Sequence, residues 1–102
     1  MFRGEIFRYD PVIPRPGASR TRLIVSADAL NEAEHLNLVL AVHVVDYDPE
    51  SLLSPRIEGY GWALVTTIER VVRSRLIERL GEATEAEMHQ VDIALRVALD
   101  LP

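Results

Sequence analysis

The sequence predicts an α+β fold, a β-barrel-like domain of four or five strands with one short helix and a closing C-terminal helix. Three observations carry this expectation. Apolar and β-branched runs of strand length recur along most of the chain, Pro- and Gly-containing segments separate them, and the clearest helical periodicity lies at the end. With 102 residues and no internal repeat or linker, the chain reads as one domain, 1–102.

The elements follow in order. "GEIFRYD" (Gly4 to Asp10) alternates and is rich in β-formers, with Ile6 on one face and Phe7 and Tyr9 on the other, so it is a first strand. Three prolines and a glycine make "PVIPRPGAS" (Pro11 to Ser19) a loop. "RLIVSA" (Arg22 to Ala27) is the second strand, and Asp28 is placed to N-cap a short helical turn, "ALNEAEH". "LNLVLAVHVV" (Leu36 to Val45) is nearly all apolar and suits a central strand covered on both faces. "DYDPESLLSPRIEGYG" is a polar connection, "WALVTTIERVV" the next strand, "RSRL" a turn and "IERLGEA" a short strand. In the closing helix Thr84 and Glu87 form a T-x-x-E capping box, with Glu82 and Glu85 also near the positive end. Met88, Val91, Leu95 and Ala98 lie on one stripe, widened by Ala94 and Leu99.

Composition excludes several function classes. An apolar content of 48% argues for a globular chain rather than a disordered one. No apolar run approaches the roughly 18 residues of a membrane span, and "MFRGEIFRYD" lacks a signal peptide's apolar stretch, so a cytoplasmic protein without membrane partners is expected. The lack of cysteine removes disulfides, thiolate nucleophiles and Cys-type zinc sites. His35, His43 and His89 fall on different elements without metal-ligand spacing, and there is no Gly-rich phosphate loop, so neither a metal nor a cofactor is expected. A chain this short leaves apolar surface near water, which favours a homodimer.

Charge is distributed unevenly. Residues 1–22 hold five arginines against two acids, net +3, and the remainder holds six arginines against fourteen acids, net −8. An N-terminal basic region on an acidic body suits local contact with phosphate. All eleven basic residues are arginine, which fits bidentate phosphate binding, although genome base composition produces the same bias.

Taken in order, "RGEIF", "DPV", a Gly-containing loop ending in Arg20, and "LIVSADALN" resemble the MazF/PemK toxin family. Its opening runs R-G-D/E-I/V-aromatic, D-P-V/T, a loop with G-x-R-P, then an apolar strand ending in S-N/D. "RLIERLGEATEAEMHQVDIALRVALDL" is similar to the family's last strand and C-terminal helix, so the resemblance spans essentially the whole chain. It implies a small SH3-like, CcdB/MazF-type β-barrel with a C-terminal helix, forming the dimeric toxin of a toxin–antitoxin pair. Such toxins are metal-independent, sequence-selective endoribonucleases acting on single-stranded RNA, and a cognate antitoxin blocks the RNA groove.

Cleaving RNA without a metal requires a base for the 2′-hydroxyl, an acid for the leaving 5′-oxygen and positive charge on the phosphorane. Arg20 matches the family's loop arginine, whose guanidinium meets phosphate oxygens; its ordinary alternative is a solvated loop charge. Arg3, Arg15 and Arg22 are further candidate RNA contacts, with Ser19 and Thr21 flanking Arg20, and each has a surface-residue alternative. The resemblance also calls for Thr or Ser at the end of the third strand, but that position falls on Val44, with His43 beside it. His43 is the candidate acid–base residue, or else a structural histidine in an apolar strand.

Other family features are absent. The loop glutamate is missing, Thr21 stands where G-x-R-P has proline, and Thr66 and Thr67 replace an acidic–Gln pair. Those threonines could bond a base or sugar, or simply serve β-propensity. Two alternatives therefore stand beside the ribonuclease: a catalytically weakened MazF-fold binding protein that retains antitoxin binding, and a CcdB-like DNA gyrase inhibitor. "WALVTTIERV" resembles the latter branch, but the ending "ALDLP" lacks its aromatic–glycine terminus.

Overall fold

The computed structural model describes residues 1–102. Alternating apolar residues build the first hairpin: β1 (Glu5–Tyr9) pairs antiparallel with β2 (Thr21–Ile24) across the proline-rich loop. β2 pairs with β3 (Leu38–Val45), and β3 with the long β5 (Gly61–Val72). A 3₁₀ turn at Arg73–Arg75 leads into β6 (Leu76–Glu82), which returns to pair with β1. The expected polar connection contains a further two-residue strand, β4 (Arg56–Ile57), on the edge of β5. Six strands, rather than four or five, thus form one antiparallel sheet in the order β4-β5-β3-β2-β1-β6.

Strand alternation divides the core in two. Ile6, Leu23, Val42, Val44 and Val65 face one side and pack with Val91 and Ala94 of α2 (Glu85–Leu99). Tyr9, Ile24, Val39, Ala41 and Val71 face the other, with Phe7 and Leu76 against them. The α2 capping box forms as expected, Thr84 Oγ1 accepting from Glu87 N at 3.1 Å and Glu87 Oε1 from Thr84 N at 2.8 Å. The buried stripe is shorter than its periodicity implies: Ala98 and Leu99 are exposed.

Two local expectations change. Asp28 is the first residue of α1 (Asp28–Glu32), not its N-cap; Ala27 holds that position without a side-chain bond. The Asp28 carboxylate is drawn away instead, accepting from the Arg3 backbone N–H at 2.7 Å. At the far end of α1, the Arg73 guanidinium donates to the carbonyls of Asn31 (2.6 Å), Leu30 (3.3 Å) and Ala33 (3.4 Å). A fixed cation there satisfies carbonyls that the short helix leaves open.

The sheet curls into a half-barrel. β4 and β6 are its opposite edges, yet Tyr60, between β4 and β5, donates its hydroxyl to Leu80 O of β6 at 3.1 Å. The approach is close because residue 81 is glycine: a Cβ there would lie 1.8 Å from the Tyr60 hydroxyl oxygen. Gly81→Ala is therefore expected to destabilise the fold by about 1–3 kcal/mol through overpacking. In urea unfolding, the same substitution made on Tyr60→Ala should cost less, a non-additivity that places the clash on this ring.

Candidate active site

Period-two alternation sets the site. On β2, Arg22 shares the face of Ile24; on β3, His43 shares the face of Ala41; and Arg22 and His43 are cross-strand partners. A bulge in the β3–β5 ladder lies beside them, since Ala41 pairs with Glu69 but His43 pairs with Leu64. Thr67, within the bulge, supplies what the ladder lacks there. Its hydroxyl accepts from His43 N at 2.8 Å and donates to Leu64 O at 2.6 Å.

Arg22 is the organising charge, with a side chain only 5% exposed. Its guanidinium lies 4.8 Å from the centre of the Tyr9 ring, a cation–π distance. Nε donates to Glu69 Oε1 at 3.0 Å, while Nη1 donates to Ser19 O at 2.8 Å and Thr21 O at 3.2 Å. It therefore holds the backbone on both sides of Arg20. Tyr9 N donates to Arg20 O at 2.7 Å, and Ser19 Oγ donates to Val44 O, so the loop end is docked on β1 and β3.

Arg20 itself remains free to act. Its side chain is 53% exposed and its nearest acid, Asp10, is 3.9 Å away and shared with Arg75. Arg15, Arg20, Arg22, His43 and Glu69 line one cleft of about 310 Å³. Ser19, Arg20, Thr21, His43 and Tyr47 line a second groove of about 330 Å³ on the other side of the Arg20 loop. Of the residues singled out in the sequence, the structure gathers Arg15, Ser19, Arg20, Thr21, Arg22 and His43 here. Arg3 is elsewhere: its guanidinium donates to Val25 O at 2.9 Å and pairs with Asp92 of α2, lining neither groove. Thr66 is exposed on β5 outside both, and the Thr67 hydroxyl is engaged in the bulge.

The position expected to carry the family's hydroxyl needs a correction. Val44 is 2% exposed in the helix-side core, so a side chain at 44 cannot reach the cleft. The groove-facing residues of β3 are His43 and Val45. Glu69 and Tyr9, which complete the cluster, were not singled out in the sequence; only the period-two pattern of "TIERVV", with Glu69 on the face of Val71, hinted at the former. No three metal-ligating side chains converge anywhere in the structure.

His43 is held below the ordinary histidine value of 6.5. Burial is the main cause and the Arg22 charge adds to it, while the hydrogen bond to Glu69 and its charge oppose them. The imidazole is accordingly neutral near pH 7, with Nε2 at 3.0 Å from Glu69 Oε1.

The whole chain matches a protein family with this architecture. The model of the PemK-like, MazF-like toxin of type II toxin–antitoxin systems aligns with residues 2–99. The chain belongs to that family. An endoribonuclease bound to its cognate antitoxin, from a mycobacterial species, is 30% identical with a TM-score of 0.85, covering 100% of this chain and 97% of that one. Another mycobacterial endoribonuclease is 28% identical at a TM-score of 0.83, covering 100% and 93%. A MazE–MazF complex from Deinococcus radiodurans, 19% identical, shares the fold at a TM-score of 0.81 over 99% and 97% of the two chains. The MazF-like toxin therefore keeps the half-barrel and C-terminal helix of its relatives.

Two outcomes follow from this geometry. Arg22→Met leaves Glu69 without its guanidinium and two loop carbonyls without a donor, and should lower unfolding free energy by about 1–3 kcal/mol in urea. The depressed His43 pKa means that the unfolded chain binds this proton first. The His43 contribution is intact above pH 6.5 and is lost as pH falls from 6.5 through the folded value. Thermal scans of His43→Asn against the parent should show a shallower decline in that acid window.

Proposed function

We propose that the toxin is a metal-independent, sequence-selective endoribonuclease acting on single-stranded RNA, with residues 1–102 forming a single toxin domain in the cytoplasm. The observation that supports it most is the pairing of a half-exposed guanidinium, Arg20, with a neutral imidazole, His43, in one cleft. Arg20 meets two non-bridging phosphate oxygens and stabilises the charge that grows as the 2′-oxygen attacks phosphorus. His43 handles proton transfer. The O2′–P bond forms and the P–O5′ bond breaks, leaving a 2′,3′-cyclic phosphate and a 5′-hydroxyl.

Arg15, Ser19 and Thr21 border the phosphate path, and Tyr47, 60% exposed at the second groove, offers a ring on which a base can stack. The complexes of related proteins support a cognate antitoxin as partner. Exposed apolar side chains, Leu36, Leu38 and Ile68 among them, support a homodimer.

Cleavage of a long single-stranded RNA in excess EDTA, with end-group analysis, tests this reading. Arg20→Ala should lower kcat by about 10²–10³-fold and His43→Ala by about 10²–10⁴-fold. The lack of a hydroxyl at His43 and Val45, the groove-lining residues of β3, favours a second reading, a weakened binding protein. Failure of the folded, antitoxin-free wild type to cleave would favour that alternative over the nuclease, and a gyrase supercoiling assay would then separate it from a CcdB-like inhibitor.

A further inference from the structure

One carboxylate oxygen serves two nitrogen bases. Glu69 Oε1 lies 3.0 Å from Arg22 Nε and 3.0 Å from His43 Nε2. The guanidinium is charged at every accessible pH, so the carboxylate's charge is matched before the imidazole contributes anything. A carboxylate standing alone favours imidazolium, whereas one already paired with a buried cation gives the ring a hydrogen-bond acceptor and little net field. An acceptor at Nε2 selects the tautomer with its proton there. Nδ1 is then left with its lone pair.

We propose that Glu69 is a positioning residue that fixes His43 as the Nε2–H tautomer, making Nδ1 the base for the 2′-hydroxyl, while Arg22 keeps that ring neutral by matching the carboxylate. The inference rests on the ribonuclease reading given above. In the step, Nδ1 takes the 2′-hydroxyl proton as the O2′–P bond forms. The P–O5′ bond breaks, the departing oxygen takes a proton from water, and the imidazolium returns its own to solvent.

The surroundings are consistent with a neutral ring. The charged and titratable groups facing it are Arg22 from β2, Glu69 from β5, Arg15 and Arg20 from the loop, and Tyr9, Asp46 and Tyr47 at the groove walls. Burial and Arg22 depress its protonation, in that order. The main chain of His43 is held separately by the Thr67 hydroxyl, so removing the Glu69 carboxylate frees the ring without releasing the strand.

The test starts without RNA. Long-range ¹H–¹⁵N spectra of the labelled protein report tautomer and pKa of His43 directly. The wild type should show Nε2–H and titrate below 6.5. Glu69→Ala should titrate lower still and lose its tautomer preference, and Arg22→Met should titrate higher than wild type. In RNA cleavage, Glu69→Ala should lose about 10²-fold in kcat, within a general base's contribution, with KM little changed. The acid limb of the pH–kcat profile should move with the pKa measured by NMR. A scaffold role alone would leave tautomer ratio and acid limb where they are in wild type. An Nδ1–H wild type, or a Glu69→Ala variant with unaltered tautomer and pKa, would overturn the proposal. If the wild type shows Nε2–H but does not cleave, the ribonuclease reading falls, and Nδ1 as its base falls with it.

Discussion

A buried guanidinium must find a partner for its charge and its donors, and Arg22 meets that requirement in a way that arranges everything around it. Its plane rests on the Tyr9 ring, tying β2 to β1. Nη1 takes the carbonyls on either side of Arg20, so the proline-rich loop ends in a set backbone course. Nε takes Glu69, drawing the middle of β5 toward the β2–β3 pair. One side chain thus connects three strands and a loop at the mouth of the cleft.

This constraint separates two arginines that look alike in the sequence. Arg22 is 5% exposed, with its Nε and Nη1 donors committed inside the protein. Arg20, two residues earlier, is 53% exposed with its nearest carboxylate 3.9 Å away. A guanidinium held loosely on a fixed backbone is pre-oriented but can exchange its weak partner for a phosphate. The net +3 of residues 1–22 is therefore not one basic surface. Arg3 belongs to the packing of α2, Arg22 to the cleft floor, and Arg15 and Arg20 to the rim.

The bulge in β5 is the second device. It interrupts the β3–β5 ladder between the Ala41–Glu69 and His43–Leu64 pairs, and Thr67 replaces the missing ladder bond with its hydroxyl. Threonine commonly sits in strands for its branched shape, but here its oxygen has a specific task. A strand with a fixed backbone and a ring held by Glu69 gives His43 two independent restraints. The curl that brings Tyr60 to Leu80 closes the sheet away from this cluster, leaving α2 to fill the helix-side core.

Local chemistry made much of the fold legible in the sequence. Alternation marked β1, apolar and β-branched runs marked β2, β3 and β5, and the Thr84–Glu87 pair marked the start of α2, because each signal acts over a few residues. The ordered motifs pointed to the family that the comparison of residues 2–99 shows. Tertiary structure decided what local signals do not contain. Register and a bulge put Glu69 beside His43, curvature joined Tyr60 to Gly81, and burial turned Arg22 inward while leaving Arg20 at the surface. Side-chain period told which residues share a face; only packing told which of those faces meets the cleft.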